Sequence, residues 1–379
     1  METTKTVKEP LFHVIKRGNV SLTRQILVRV IAILSGLLLG SIICWIVYGA
    51  SPFDFIKYIV IDNFSPFDNF LELIKRSMLL LMIGLALIPP FKMKFWNLGG
   101  NGQILMGGLM AIICMKYLGG NMPDGVVWII MLVSSLLMGA IWAVIPAIFK
   151  AFFKTNETLF TLMMNYIAAG IMVYAIKIIS GKNTTGTIGI VETAQLPELG
   201  HPAVLVSIFA IIVTVFITLY MKYSKHGYEV ALVGDSVNTA KYSGINVKTV
   251  IIRTLVLSGA ICGLVGFLLA GSVNHTLVTE ETMAKSGFTA FTAIIAVWIA
   301  HNNPLATIGV SFGIMFLNNG MEYARTNLSI TEEAIPSMII GLIYLVVIAS
   351  EFFITYKLKF NGKKTIGDAN SNELLKEGK

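Results

Sequence analysis

The chain has 379 residues, 55% of them hydrophobic and 13% charged, with a mean hydropathy of +0.76. A domain folded in water needs a far more mixed surface, so this composition excludes a soluble enzyme or binding domain and makes lipid the main solvent. The formal net charge of +8 raises nucleic acid as a partner, and the placement of that charge decides the question.

Apolar runs fall near residues 30–49, 73–90, 103–118, 126–149, 158–176, 203–221, 254–272, 286–300, 304–324 and 334–354. A helix rising 1.5 Å per residue needs roughly 20 residues to cross about 30 Å of hydrocarbon. The expectation is an all-α, polytopic protein with about ten transmembrane or partly re-entrant helices, of which 286–300 is the weakest span. Threading them from a cytoplasmic N-terminus puts 21 of the 29 basic residues inside, in residues 1–29, around Lys92, Lys150 and Lys222 to Arg253, and in the tail. That bias places both termini in the cytoplasm and turns the basic balance into a topology signal rather than a nucleic-acid signal. The organisation is a cytoplasmic segment 1–29, a membrane domain 30–354 and a cytoplasmic tail 355–379. The first apolar run is too long for a signal-peptide core and "ICWIVYGASPFDF" offers no cleavage site, so it reads as an uncleaved anchor.

In chain order, residues 50–72 interleave six aromatic residues with Asp54, Asp62 and Asp68, which suits an external element lying at the interface. In "KFWNLGGNGQILMGG", residues 94–108, Asn97, Asn101 and Gln103 alternate with glycines just before the third span. Such a break serves either as an ordinary loop and helix cap or as a re-entrant entrance offering amides to a polar solute. Asn165 and Tyr166 lie inside the fifth span, and Asn318 and Asn319 inside the ninth, with Glu322 a turn later. Unpaired amides in hydrocarbon cost several kcal/mol, so they face other helices or a wet path, as interhelical glue or as pathway lining. Asn319 and Glu322 are spaced to share a helix face.

The stretch 177–202, containing "SGKNTTGTIG", reads as a polar external connection, as does 273–285, "VNHTLVTEETMAK". Residues 222–253 form the longest internal connection, on the cytoplasmic side. There "DSVNTAKYSG" fits a short capped helix from Asp235 or Ser236, with Ala240 and Lys241 in its body and Gly244 as its stop. This element is either a docking surface or a resting surface helix. In 285–304 a short apolar run begins near Gly287 and ends at His301, Asn302, Asn303 and Pro304. Phe288 and Phe291, three apart, share a face there, as core or as a platform for a flat ring.

Cys44, Cys114 and Cys262 sit in apolar runs with no metal or redox spacing. Phosphate-loop, zinc-protease and nucleophile-elbow signatures are missing, and the spans hold no paired carboxylates. Glu322 and Glu351 lie near span ends, whereas a proton-driven carrier more often keeps a charge near the bilayer centre. Energy from nucleotide then enters through another polypeptide.

Four stretches, "WNLGGNGQILMGG", "TNETLFTLMMNYIAAG", "ALVGDSVNTAKYSGINV" and "GFTAFTAIIAVWIAHNNPLATIG", fall in this order between residues 94 and 323. Together they resemble the permease subunit of bacterial ABC importers for nucleosides and simple sugars, and the whole chain looks most like the larger of two unlike permeases in a nucleoside importer. The resemblance implies a bacterial cytoplasmic-membrane subunit that carries no cofactor and is not an enzyme, with ATP and Mg on a partner ATPase. It also implies a second, shorter permease and an extracytoplasmic substrate-binding lipoprotein. It gives Gly234, Asp235, Asn238, Ala240, Lys241 and Gly244 the role of coupling helix. It sets Asn97, Asn101 and Gln103, with the regions of Asn165 and Phe288, near the solute pathway. Ser236 and Val237 replace the usual asparagine–proline of the coupling motif, Asn101 stands where relatives often carry an acid, and Ala300 and His301 replace a glycine and a basic residue. These departures bear on the solute. The alternatives are a permease for ribose, galactose or another simple sugar, and a stand-alone secondary carrier.

Overall fold

The computed structural model describes residues 12–18, 21–180, 188–197, 199–277, 279–330, 332 and 334–360. Residues 1–11 of the expected N-terminal segment, 181–187 of the turn-rich connection and the tail beyond 360 lie outside the described residues.

In chain order, strand β1 (Phe12–Lys16) precedes α1 (Leu22–Tyr48), α2 (Pro52–Ile61), α3 (Phe67–Lys92), α4 (Gly100–Leu118), α5 (Asp124–Phe153) and α6 (Glu157–Ser180). Then come α7 (Pro202–Tyr223), α8 (Lys225–Asp235), α9 (Val237–Tyr242) and α10 (Val247–Leu268), which continues as a π-helical turn, Leu269–Asn274. Two short helices, α11 (Glu280–Lys285) and α12 (Ala290–Ile299), lead to α13 (Pro304–Asn327), α14 (Ala334–Thr355) and strand β2 (Tyr356–Phe360). The helix starts are written in the sequence as capping side chains. Ser224, Ser236, Asn246, Thr279, Thr289 and Asn303 each accept a hydrogen bond from a backbone N–H of the first turn that follows.

The chain divides into two compact units, residues up to Ile56 with those from Ile330 onward, and Lys57–Ser329. In the first, α1 packs on α14 where Gly40 leaves room for Ile339, and Arg29 pairs with Glu351 at 3.1 Å. β1 and β2 add a two-stranded antiparallel ribbon, with Val14 opposite Leu358, that the sequence reading did not include.

In the second unit α3 is the hub, with every residue from Leu79 to Phe91 buried. A helix that is apolar all round belongs inside, and α3 is the clearest case. α4, α5 and α10 approach one another through glycine. A Cβ on Gly263 would lie 2.2 Å from the Ser135 carbonyl oxygen, and one on Gly139 2.3 Å from that of Gly259. Bare backbone at these positions lets the helices touch, the usual basis of helix association in lipid.

Nine of the ten expected spans are each covered by one helix, that at 254–272 running into the π-helical turn. The tenth, 286–300, is held by α12 alone, whose 10 residues extend only about 15 Å. Among the described residues, seven segments are long and apolar enough to cross a membrane: α1, α5, α6, α7, α10 with its π turn, the α11–α12 run and α14. The α11–α12 run is interrupted at Ser286–Thr289, so it is two half-length pieces.

Replacing Gly263 with Ala is expected to destabilise the protein by about 1–3 kcal/mol through overpacking against Ser135. A lowered thermal unfolding midpoint of the detergent-solubilised protein checks this; an unchanged midpoint contradicts the packing described.

Candidate functional site

The first polar region lies where α4 begins. Pro89 and Pro90 sit in the last turn of α3, and Lys94, at φ 59°, turns the chain back toward the interior. Asn97, Asn101 and Gln103 are buried, each at most 1% exposed, so their amides must bond inside the protein. Asn97 Nδ2 donates to Ser258 Oγ at 3.2 Å, and Asn97 Oδ1 accepts from the Gly99 N–H at 3.1 Å and from Gln103 Nε2 at 3.3 Å. Asn165, also buried, reaches in from α6. Its Nδ2 donates to the Leu98 carbonyl at 2.8 Å and its Oδ1 accepts from the Gly102 N–H at 2.9 Å. These two backbone groups are four residues apart, so the side-chain amide stands in for the first bond of the helix ladder.

Asn101 joins α4 to α12. Its Oδ1 accepts from the Ala290 N–H at 2.7 Å, and its Nδ2 donates to Glu280 Oε1 at 3.5 Å. A Cβ on Gly100 would lie 2.7 Å from that of Ala290, so the two helix starts meet closely. Two buried atoms here have no protein partner, Gln103 Oε1 and Trp142 Nε1.

The other candidates separate. Tyr166 points away from Asn165 and is 62% exposed on the outer face of α6. Phe288 is buried before α12 starts, while Phe291, inside α12, is 42% exposed; they do not share a face, because Thr289 caps the helix between them. Asn318 Nδ2 donates to the Ile314 carbonyl, and its side chain meets Gly287. Asn319 is buried, with Oδ1 accepting from an Arg76 guanidinium nitrogen at 3.2 Å. Glu322 does not join Asn319 but pairs with Arg325.

Sequence reasoning missed Glu280, read as part of an external connection. The signal was present in "TEETMAKSGFTAFT". Two Thr-x-x-Thr starts, at Thr279 and Thr289, flank Gly287 at φ 75°, which marks two short helices about a tight turn.

The second region is the long connection between α7 and α10. It holds two helices rather than the one expected, since Ser236 ends α8 and caps α9. Gly244, at φ 75°, stops α9 as expected. Gly234 lies so close to α3 that a Cβ would fall 2.0 Å from the Lys92 carbonyl oxygen, and Ala240 is fully buried in a cluster with Met93, Phe95 and Val250. Asp235, Val237, Asn238, Lys241 and Tyr242 face outward, Tyr242 at 93% exposure. A cavity of about 370 Å³ opens beside them between Lys94, Asp235 and the Lys150–Glu157 ion pair. Arg253 donates to Glu229 at 2.8 Å, fixing α8 to α10 and holding the Glu229 carboxyl below its ordinary value.

A family model described as "Branched-chain amino acid transport system / permease component" matches residues 69–348. The chain belongs to this family of ABC-importer permeases. It is an integral membrane protein and a non-catalytic transport subunit, and membership implies an ATPase partner and a substrate-binding protein. Among the described residues no group of His, Cys, Asp and Glu is arranged to hold a metal. The permease is 29% identical to the guanosine ABC transporter permease protein NupP of Bacillus subtilis, over 89% of this chain and 98% of that one. It is 24% identical to the glucose ABC transporter permease protein TsgB13 of Haloferax volcanii, over 87% and 88% of the two chains. It is also 24% identical to the nucleoside ABC transporter permease protein NupB of Lactococcus lactis, over 88% and 92%.

Two outcomes follow from this geometry. Asn165→Ala strands the Leu98 carbonyl and the Gly102 N–H, at about 1–3 kcal/mol for each buried group, and lowers the unfolding midpoint; an unshifted midpoint contradicts the splice. Glu229 has a depressed folded-state pKa, so its stabilisation is complete above the unfolded value of about 4.3 and is lost as pH falls through the folded value. Amide exchange in residues 225–235, corrected for its intrinsic pH dependence, should rise on acidification in the native protein and be insensitive in Glu229→Gln.

Proposed function

We propose that this permease forms the solute pathway of a binding-protein-dependent nucleoside importer in a bacterial cytoplasmic membrane. Both of its termini lie in the cytoplasm. The α8–α9 connection is the coupling element, received by a separate ATPase that holds ATP and Mg. A second, shorter permease completes the membrane core, and an extracytoplasmic lipoprotein delivers solute.

The observation that carries the coupling role is the two-sided character of α9. Ala240 anchors it in the core beside Met93 and Phe95, while Asp235, Asn238, Lys241 and Tyr242 stand free on the opposite side. Such an element can bear load from a partner without unfolding. It lies at the Lys92 end of α3, where the basic residues gather, in keeping with a cytoplasmic location. ATP-driven closure of the ATPase pair then moves α9 and switches the permease between inward-facing and outward-facing states, which requires the element to bind differently in the two.

The nucleoside reading is supported by the relatives named for guanosine and nucleoside transport and by an interior of amides suited to bases and ribose hydroxyls. Asn97, Asn101, Gln103, Asn165, Asn318 and Asn319 are proposed to border the pathway, with Phe288 and Phe291 as aromatic surfaces; Tyr166, on the outer face of α6, is not part of that lining. The relative named for glucose keeps a simple-sugar permease as the second reading.

Reconstituted with its ATPase, partner permease and binding protein, the importer is expected to take up labelled uridine or guanosine. Unlabelled nucleosides compete and ribose does not; the reverse pattern selects the sugar reading. Ala240→Glu is expected to lower transport-coupled ATP hydrolysis at least tenfold with solute binding by the external receptor intact. Full coupling in that variant would remove α9 from the mechanism.

A further inference from the structure

Strands β1 and β2 continue the α1–α14 pair beyond the ends of both helices. The helices run antiparallel, with Gly36 against Ile343, Gly40 against Ile339 and Arg29 paired with Glu351, so the start of α1 and the end of α14 lie at one level. The level of the lipid follows from the outward faces. Ile26, Leu27, Val30 and Ile31 on α1 and Leu345, Ile348 and Phe353 on α14 are exposed apolar residues, as lipid contact requires. Beyond them the exposed residues change to Thr23 and Arg24 on α1 and to Tyr356 at the start of β2, the mix of cation and aromatic ring that marks the headgroup region.

The ribbon leaves that level without a linker. Thr355 ends α14 and Tyr356 opens β2, while from the other strand the Arg17 N–H donates to the Thr355 carbonyl at 2.9 Å and Arg17 Nε donates to the Tyr356 carbonyl at 3.0 Å. Phe352 stacks on Tyr356 at 5.3 Å, which carries the helix packing into the first residue of the strand. Lys16, Arg17 and Lys357 therefore stand within two residues of the helix end, about 7 Å along a strand, and inside the roughly 8 Å over which charge acts at physiological salt. Even a ribbon standing upright on the membrane keeps them there.

The charge here is of one sign. Lys16, Arg17, Arg24, Lys357 and Lys359 fall in residues 12–28 and 352–360, and neither stretch contains an aspartate or a glutamate. Register sets Lys357 opposite Ile15, Lys359 opposite His13 and Lys16 opposite Tyr356, so no cross-strand pair joins opposite charges. Gathered cations repel one another, and a two-stranded ribbon by itself is marginal in water. A negatively charged counter-surface supplies what the ribbon lacks. An acidic face of another protein would have to be brought to the membrane boundary; phosphate headgroups are already there, at the level where the ribbon starts. Clusters of roughly four to eight Lys and Arg directly beyond a transmembrane helix carry the attraction that anionic lipid exerts.

We propose that the β1–β2 ribbon, with Arg24, is a docking surface for anionic phospholipid headgroups, whose phosphates offset the charge of Lys16, Arg17, Lys357 and Lys359 and hold the ribbon closed at the membrane boundary. The attraction is to a charged bilayer surface, so it favours headgroups of net negative charge, such as phosphatidylglycerol, over zwitterionic ones and makes no demand on the acyl chains. It rests neither on the solute carried nor on the side of the membrane where the termini lie.

The test is amide hydrogen exchange at residues 12–16 and 356–360 of the full-length chain in lipid nanodiscs, made of phosphatidylcholine alone or with phosphatidylglycerol added. Native protein is compared with a variant carrying Lys16→Gln, Lys357→Gln and Lys359→Gln and with one carrying Lys16→Arg, Lys357→Arg and Lys359→Arg. Arg17 is kept in both, because it bonds the ribbon to the Tyr356 carbonyl. In anionic discs the glutamine variant is expected to exchange at least about tenfold faster than native protein, and the arginine variant at the native rate; in neutral discs all three agree within about twofold. Comparing chains in the same disc cancels the effect of surface pH on intrinsic exchange. A glutamine variant that exchanges faster by the same factor in both discs assigns the lysines to the ribbon's own fold and overturns the proposal. A glutamine variant that matches native protein in anionic discs overturns it as well. Soluble glycerol phosphate that protects the ribbon in neutral discs as well as anionic lipid does replaces the lipid surface with a phosphate site, and protection that needs the ATPase subunit replaces it with an acidic protein face; either result overturns the proposal.

Discussion

The structure depends on one rule of membrane folding: every backbone N–H and C=O held away from water needs a partner. α3 ends, the chain folds back, and α4 starts again in the interior, which exposes an unfinished helix ladder at a place without solvent. The side chain of Asn165 closes that gap by bonding both Leu98 and Gly102. Asn101 meets one such need for α12, accepting the Ala290 N–H. These amides are therefore conditions of the fold, whatever else they border, and the broken helices exist because asparagines from neighbouring elements complete them.

Close helix approach is the second condition. Asn165 can bridge Leu98 and Gly102 because Gly102 adds no side chain between α4 and α6; a Cβ there would sit 3.0 Å from Asn165 Oδ1 and from Trp142 Nε1. The glycines of α5 and α10 act likewise a few turns away. Small residues set the spacing and amides complete the bonding. Neither works alone, since in lipid there is no strong hydrophobic drive to hold helices together against an unmet polar group.

Much of this was legible in the sequence, and the limits have physical causes. Long apolar runs announce helices wherever the surroundings are lipid, so α1, α5, α6, α7 and α14 could be placed from hydropathy. α9 was legible through its cap at Ser236 and its stop at Gly244, because capping is local chemistry. Partnership between distant residues is not local. Nothing around Asn165 says that it completes α4, and nothing around Glu280 says that a polar stretch after α10 meets Asn101. The pairing of Phe288 with Phe291 failed for a similar reason: helical spacing applies only inside a helix, and Thr289 starts one between them.

The two polar regions are joined by the short link between α3 and α4. At one end Met93 and Phe95 share a buried cluster with Ala240, and Gly234 lies on the Lys92 carbonyl. At the other, Asn97 and Leu98 are bonded to Ser258 and Asn165, and the chain enters α4 at once. Trp96, between them, packs edge-on against Trp298 in the last turn of α12 at 5.1 Å. A link this short and this closely held has little slack. A shift of α9 large enough to move Ala240 must be taken up by the start of α4, by α12, or by loss of those bonds, and the first two carry Asn101 and its partner Ala290 with them. Mechanical continuity between the connector and the interior thus follows from covalent length and packing, with no requirement for a longer chain of coupled residues.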